Sequence, residues 1–221
     1  ESANLQQANL SRAQLIGANL KNANLTGAIL TGANIRNTEL QGAILSATQL
    51  DGATLFMIGI ENGRLDNANL SGAQMKNIYL GGANLQNADL SQADLQNAFL
   101  VGANLISANF IQANLRGAKL RNAILISANF QAADMRAISL ADAKLANSVL
   151  REANLERAEL ANANLENADL RESNLEGANL RGANLRGADL TDANLEGVYL
   201  FETDFCGAIL PDGREGECWD E

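Results

Sequence analysis

The chain lacks most of the side chains that catalysis and metal binding use. Among its 221 residues there is no histidine, there are two cysteines and one proline, and only 4% are aromatic. The absence of histidine removes the commonest general base and metal ligand, together with nucleophile pairs of the Ser-His and Cys-His kinds. We therefore predict no catalytic residue, no cofactor and no metal site, and we do not expect an enzyme.

A surplus of positive charge is also lacking, since the formal net charge is −10. Binding of nucleic acid rests largely on phosphate neutralisation by Lys and Arg, so direct nucleic-acid binding is not expected. The charge is spread unevenly: it is −2 over residues 1–100, +3 over residues 101–150 and −11 over residues 151–221. No apolar run approaches the length of a membrane-spanning helix, so membrane insertion is not expected either.

What the chain does have is a five-residue repeat, shown by Ala-Asn-Leu-Arg-Gly at residues 178–182 and again at residues 183–187. We number each repeat i−2 to i+2, with the large apolar residue at i. Every multiple of five from Leu5 to Leu210 is Leu, Ile, Met or Phe, while i−2 is usually Ala and i−1 is usually Asn or Asp. This period fits neither a helix nor a strand. Positions i and i−2 are assigned to the core, and the other three are expected to face solvent and to vary freely.

The repeat resembles the pentapeptide-repeat family, whose pattern is A-(D/N)-L-x-x, over residues 1–210. The resemblance implies an all-β solenoid, a right-handed quadrilateral β-helix in which four repeats form one coil of 20 residues. About ten coils stacked at roughly 4.8 Å make a rod on the order of 50 Å long. Each coil then contacts only its neighbours, as in other solenoids.

One segment, residues 56–65, departs from the repeat without losing its five-residue frame. Its unusual residues are Ile58, Gly59, Gly63 and Arg64, which stand where Ala or Asn is the rule. Two interpretations remain open. The coil is locally repacked, with Ile58 overfilling one inside corner and Gly63 underfilling another, or a bulge carries Phe56 and Met57 outward as a contact point.

Apolar side chains occupy outward positions in the middle of the chain, where polar residues are the rule. Positions that differ by 20 stack in this fold, so Tyr79 and Phe99 are predicted neighbours, and Ile106 lies beneath Ile126. An exposed apolar patch often marks a contact surface, although ring stacking along a β-ladder also stabilises the fold by itself. The candidate interaction patch consists of Tyr79, Phe99, Val101, Ile106, Ile111, Ile124 and Ile126.

An acidic strip is predicted towards the C-terminus, where Glu156, Glu176 and Glu196 repeat at the coil spacing. It either binds a basic partner or divalent cations, or it is a solvated face that keeps the protein soluble. Arg151 and Arg171 lie one corner earlier and are expected to neutralise the strip in part. A flat ladder of carboxylates does not converge into a cage, so the strip is not predicted to be a metal site.

Residues 211–221 leave the repeat and are predicted to form a C-terminal capping tail. Pro211 cannot continue a ladder, and the open edge of the last coil requires a cover. Trp219 is expected to lie over Phe205 and Leu210. The chain begins at Glu1, inside a repeat, so a removed targeting segment or a further upstream domain is expected.

The two cysteines, Cys206 and Cys218, either form a disulfide that holds the tail on the last coil or remain separate thiols. A bridge would add about 2–3 kcal/mol of stability and would indicate an oxidising compartment. The ending Gly-Ala-Ile-Leu-Pro-Asp-Gly at residues 207–213 is similar to cyanobacterial and thylakoid-lumen members of the family. Thylakoid lumen or periplasm is therefore the expected location, with cytoplasm as the alternative if the thiols are free.

The sequence favours a non-catalytic structural or interaction protein that binds another protein through the faces of the rod. It is expected to be a monomer, or to associate weakly end to end. The alternative is a DNA mimic, because some family members protect DNA gyrase with an acidic rod that resembles duplex DNA. Against this alternative, residues 101–150 are net positive and the frame contains no inserted loop.

Overall fold

The computed structural model describes residues 3–218, and these form a β-solenoid, as predicted. Helices and strands of several residues are absent from this range; its secondary structure consists of isolated bridges and turns. Parallel bridges join residues 20 positions apart, from Asn4 with Asn24 to Asp189 with Ile209. Successive bridges are five residues apart, so each coil has four sides. We number the sides 1 to 4 by the bridge columns that start at Asn4, Asn9, Gln14 and Asn19.

The corners between sides are tight turns with a fixed backbone conformation. The N–H of residue i+3 donates to the carbonyl oxygen of residue i, as between Ala28 and Leu25 at 2.9 Å. Every i+2 residue from Gln7 to Gly207 is left-handed, with φ between 53° and 70°. Asn and Gly tolerate this region better than other residues, which explains their frequency at i+2. The residue type at i+2 still varies, but its backbone conformation does not.

Position i−1 is also constrained, because its Asn or Asp side chain completes the turn. Asn69 Oδ1 accepts the backbone N–H of Ser71 at 3.1 Å, and this contact recurs along the rod. Asn side chains also bond between coils, as where Asn104 Nδ2 donates to Asn84 Oδ1 at 3.0 Å. These contacts account for the Asn-rich columns, which solvent exposure alone does not explain.

The core follows the predicted columns. All i residues from Leu25 to Leu190 are buried, while Leu5 to Leu20 at the first coil are half-buried. The Ala residues at i−2 fill the inside corners. Phe110 and Phe130 replace Leu in one column and stack with ring centroids 4.7 Å apart. Large residues at i and small residues at i−2 alternate along the inner wall, and together their side chains fill the tube.

The ladder is interrupted at the irregular segment. Within the described chain, no backbone hydrogen bond joins residues 36–43 to residues 56–63, and the expected bridge between Glu39 and Gly59 is missing. Ile58 is buried at 2% exposure where Ala is usual. The frame of five survives, and Met57 is 56% exposed at its turn.

Gly63 has a specific reason to differ from the repeat. A Cβ at this position would overlap the γ2-methyl of Ile60 and lie 2.9 Å from the Ile60 carbonyl oxygen. Restoring the usual alanine with Gly63→Ala is therefore expected to lower the free energy of unfolding by about 1–3 kcal/mol, the cost of overpacking a filled core. Urea denaturation followed by circular dichroism measures the change.

Two further variants make this prediction specific to the Ile60 contact. The double variant Ile60→Leu with Gly63→Ala removes the branched methyl and is expected to recover most of the loss. Gly81→Ala is the control, because its Cβ would meet nothing closer than a carbonyl oxygen at 3.7 Å. Equal stability of the Gly63→Ala variant and the unsubstituted protein would show that the overlap is relieved without strain.

Candidate interaction surface

An aromatic pair stands on side 4 at the middle of the rod. Residues 20 apart share a bridge column, so Tyr79 and Phe99 stack with ring centroids 4.8 Å apart and planes 10° from parallel. Lys119, next in the column, places its Nζ 5.2 Å from the centre of the Phe99 ring. Tyr79 is 43% exposed. The two rings therefore stack on each other along the ladder, and part of the Tyr79 ring remains exposed to solvent.

The other residues of the candidate patch do not all join this pair. Val101 lies at the corner after side 4 and is exposed, and Ile124 lies on side 1 and is half-buried. Ile106 and Ile126 are half-buried at the next corner, between sides 1 and 2. Ile111 lies at the corner between sides 2 and 3, diagonally opposite Val101. The apolar residues thus form a band around the rod, and a single flat partner contacts only part of it.

The acidic strip runs along the corner between sides 3 and 4. Glu176 and Glu196 are exposed, whereas Glu156 is half-buried. Arg157 Nε lies 3.6 Å from the carboxylate of Glu156. Among the described residues, no group of three or more Asp, Glu or Cys is placed to hold a metal ion. The strip adjoins the side that carries the aromatic pair.

The arginines expected to neutralise the strip bind other carboxylates. Arg151 donates to Glu172 at 2.6 Å, and Arg171 donates from its Nε to Asp169 at 2.7 Å. The side-chain hydrogen bond from Arg171 holds the pKa of Asp169 below its usual range. A lowered carboxyl pKa contributes stability at neutral pH that is lost as the pH falls through the folded-state value. Neither Arg151 nor Arg171 therefore pairs with a glutamate of the strip.

The described part of the tail folds back on the last coil. Leu210 N–H donates to Arg214 O at 2.7 Å, and Glu215 forms an antiparallel bridge with Ile209. Gly216 is buried, and its N–H donates to Ala208 O at 2.7 Å. The chain then reaches Cys218, which forms a disulfide with Cys206, so the thiols are not separate in this structure.

An apolar hollow of about 480 Å³ opens between the last coil and this tail. Leu195, Leu200, Phe205 and Leu210 line it. The predicted cover, Trp219, lies outside the described residues. Near the same end, Tyr199 and Phe201 project outward with 72% and 61% of their surface exposed. The C-terminal end of the rod therefore also carries exposed apolar side chains.

Within residues 3–218, no helix has both the length and the apolar character that crossing a membrane requires.

Comparison with protein families gives one match, to the family described as pentapeptide repeats. Eight copies of the repeat unit match, covering residues 1–55 and 64–207. The stretch left out, residues 56–63, coincides with the interrupted ladder. No curated protein sequence matches the chain.

Solved structures give more detailed similarities. HetL, a pentapeptide repeat protein involved in heterocyst differentiation regulation in the cyanobacterium Nostoc, is 33% identical, with a TM-score of 0.58. The match covers 97% of this chain and 92% of HetL. A pentapeptide repeat protein from the cyanobacterium Cyanothece is 30% identical over 61% of this chain and 85% of its own, with a TM-score of 0.32. One from the thylakoid lumen of Arabidopsis thaliana is 29% identical over 49% and 72%, with a TM-score of 0.28.

Proposed function

Because the chain belongs to the pentapeptide repeat family, we propose that it is a non-catalytic scaffold that binds another protein through the sides of its rod. The observation that carries the proposal is the aromatic pair of Tyr79 and Phe99, with exposed Val101 beside it. Most outward positions are polar, and an exposed apolar group on a polar surface favours a contact surface. The partner is proposed to be a protein, with no direct binding of nucleic acid.

The proposed architecture of the scaffold is a right-handed quadrilateral β-helix over residues 1–210, closed by residues 211–221 as a C-terminal cap. Four bridges per 20 residues support four sides of equal length. The disulfide and the hairpin between Ile209 and Glu215 support the cap. The proposed state is a monomer or a weak end-to-end assembly.

The proposed location is an oxidising compartment, the thylakoid lumen or the periplasm. The disulfide between Cys206 and Cys218 supports it, because such bridges persist where glutathione and thioredoxin do not reduce them. Cytoplasm is the alternative, and it requires free thiols in the protein taken from its cells.

A DNA mimic that binds an enzyme such as gyrase is the second candidate function. The net charge of −11 over residues 151–221 favours it. Arg151 and Arg171 pair with Glu172 and Asp169, and these ion pairs reduce the resemblance of the rod to a continuous phosphate backbone. Inhibition of gyrase supercoiling by excess protein would favour this candidate over the scaffold.

Photo-crosslinking from defined positions tests the scaffold. A benzophenone amino acid replaces Val101 beside the aromatic pair, Glu176 in the acidic strip, or Gln131 at the corner between sides 2 and 3. In extracts of the source cells, the Val101 variant is expected to form one adduct of defined mass. Excess unsubstituted protein is expected to compete the adduct away, since the patch on both proteins binds the same partner.

The Gln131 variant is the matched control, because it lies one coil on from Ile111 at the corner diagonally opposite Val101. Adduct formation from Glu176 alone would move the binding surface to the acidic strip. If none of the three positions gives an adduct that unsubstituted protein competes away, the sides of the rod do not bind a protein and the proposal is overturned.

A further inference from the structure

The aromatic column on side 4 ends at a gap. Phe99 covers one face of the Tyr79 ring, with centroids 4.8 Å apart. The bridge partner of Tyr79 on its other side is Gly59, which has no side chain. Gly81, at the corner that follows Tyr79, has no side chain either. The second face of Tyr79 therefore has no neighbour in its column, which agrees with its 43% exposure.

The height of this gap suits one flat group. Beyond Gly59 the next side chain in the column is Glu39, which is bound to Lys21 Nζ at 3.1 Å. Glu39 and Gly59 also lie across the interrupted part of the ladder, where no bridge joins them. The rung at Gly59 is one coil step from Tyr79, roughly 4.8 Å, so a flat group at that height stacks on the open face of the Tyr79 ring.

The Glu61 carboxylate occupies the inner part of this rung. A Cβ on Gly59 would lie 2.6 Å from Glu61 Oε2, so the flexible end of Glu61 lies where the first side-chain atom of Gly59 is missing. Glu61 is exposed, and no ion pair involves it within residues 3–218. The gap therefore presents an aromatic face and an unpaired negative charge to the same small space.

This combination favours a planar cation. The face of an aromatic ring is electrostatically negative, so a cation between Tyr79 and Glu61 is attracted by both. A guanidinium group is flat, stacks on aromatic rings and pairs with a carboxylate through two hydrogen bonds, whereas an ammonium is compact and strongly hydrated. At the other end of the same stack, Lys119 already places a cation 5.2 Å from the Phe99 ring.

We propose that the gap bounded by Gly59, Glu61 and Tyr79 is a binding slot for an arginine side chain of the partner protein. This inference rests on the proposed scaffold function and names the chemistry by which side 4 recognises its partner. The net charge of −10 favours a basic partner segment in general. The slot then selects one arginine within such a segment.

The test is a titration with the short peptide acetyl-Gly-Arg-Gly-amide at low ionic strength, followed by NMR of the backbone amides. The amides of Gly59, Glu61 and Gly81 are expected to shift in the folded protein. The same peptide with citrulline, which has the shape of arginine without its charge, is expected to bind at least about tenfold more weakly, since it gains neither the ion pair nor the full cation–π attraction.

Gly59→Asn is the decisive variant. It restores the usual residue of the column, meets only the mobile end of Glu61, and fills the slot. It should fold normally and lose the arginine-dependent shifts. Tyr79→Leu and Glu61→Gln are each expected to weaken binding about two- to fivefold. Glu166→Gln removes the same charge from an exposed corner elsewhere and is expected to change nothing.

The slot is overturned if Gly59→Asn binds the arginine peptide as tightly as the unsubstituted protein. It is also overturned if citrulline binds equally well, or if the shifts map only to residues 151–221. This titration uses no partner protein. A negative result would therefore reject the slot without contradicting a competed adduct from Val101, and the scaffold proposal would stand. A positive titration without any such adduct would retain arginine binding at the gap but reject its role in recognising a partner, together with the scaffold.

Discussion

Replacing Phe110 with alanine is expected to lower the free energy of unfolding by about 3–5 kcal/mol, the usual loss when a buried aromatic residue becomes a cavity. Phe110 is fully buried and stacks on Phe130 with planes 6° from parallel. Backbone hydrogen bonds of the ladder hold the coils above and below in place, so these coils cannot collapse into the cavity. Guanidinium denaturation followed by circular dichroism measures the loss.

Phe110→Leu is the matched control, because Leu is the residue that the rest of the column uses, as at Leu90 and Leu150. It is expected to lose no more than about 1.5 kcal/mol, since the volume is largely kept. A double-mutant cycle with Phe130→Leu is expected to give a coupling of about 0.5–1.5 kcal/mol for the stacked rings. Equal stability of the alanine and leucine variants would contradict a rigid, filled interior.

Removing the disulfide with Cys206→Ser and Cys218→Ser together is expected to destabilise the protein by about 2–3 kcal/mol, because the bridge closes a short loop and restricts the unfolded chain. The amide of Gly216, which donates to Ala208 O at 2.7 Å, is expected to exchange with solvent much faster. Hydrogen exchange measured by mass spectrometry localises the effect to the tail.

Gly216→Ala separates packing from cross-linking in the same segment. A Cβ on Gly216 would overlap the carbonyl oxygen of Phe205, so the tail must lift although both cysteines remain. Faster exchange in both variants would show that the bridge and the close approach of Gly216 each hold the tail. Unchanged exchange without the disulfide would contradict a role for the bridge in docking.

The oxidation state of Cys206 and Cys218 in protein from its source cells tests the proposed location. Protein taken from its source cells and alkylated without reductant is expected to gain no label until it is reduced. Labelling of both Cys206 and Cys218 before reduction would place the protein in the cytoplasm, where the gyrase-binding alternative gains support. Intact mass before and after alkylation gives the answer directly.

Much of the candidate surface was predictable, and the reason is the coil length. Once residues 20 apart are neighbours, the stacking of Tyr79 on Phe99 and the alignment of Glu156 with Glu176 follow from the sequence. The arginine slot was not predicted, although a signal existed: Gly59 interrupts a column of larger side chains. Whether Gly59 creates a binding site depends on the rotamer of the Glu61 side chain. The spacing of residues along the chain does not determine that rotamer.

The sequence by itself determined the inner columns, the family and the order of residues on the four sides, because a strict period places each residue type in the same environment in every coil. Only the tertiary structure decided the left-handed turns at i+2, the loss of ladder hydrogen bonds between residues 36–43 and 56–63, and the pairing of Arg151 and Arg171 with carboxylates outside the acidic strip. These features depend on how side chains from adjacent coils share the space between them. Packing across the ladder therefore settled what the repeat pattern left open.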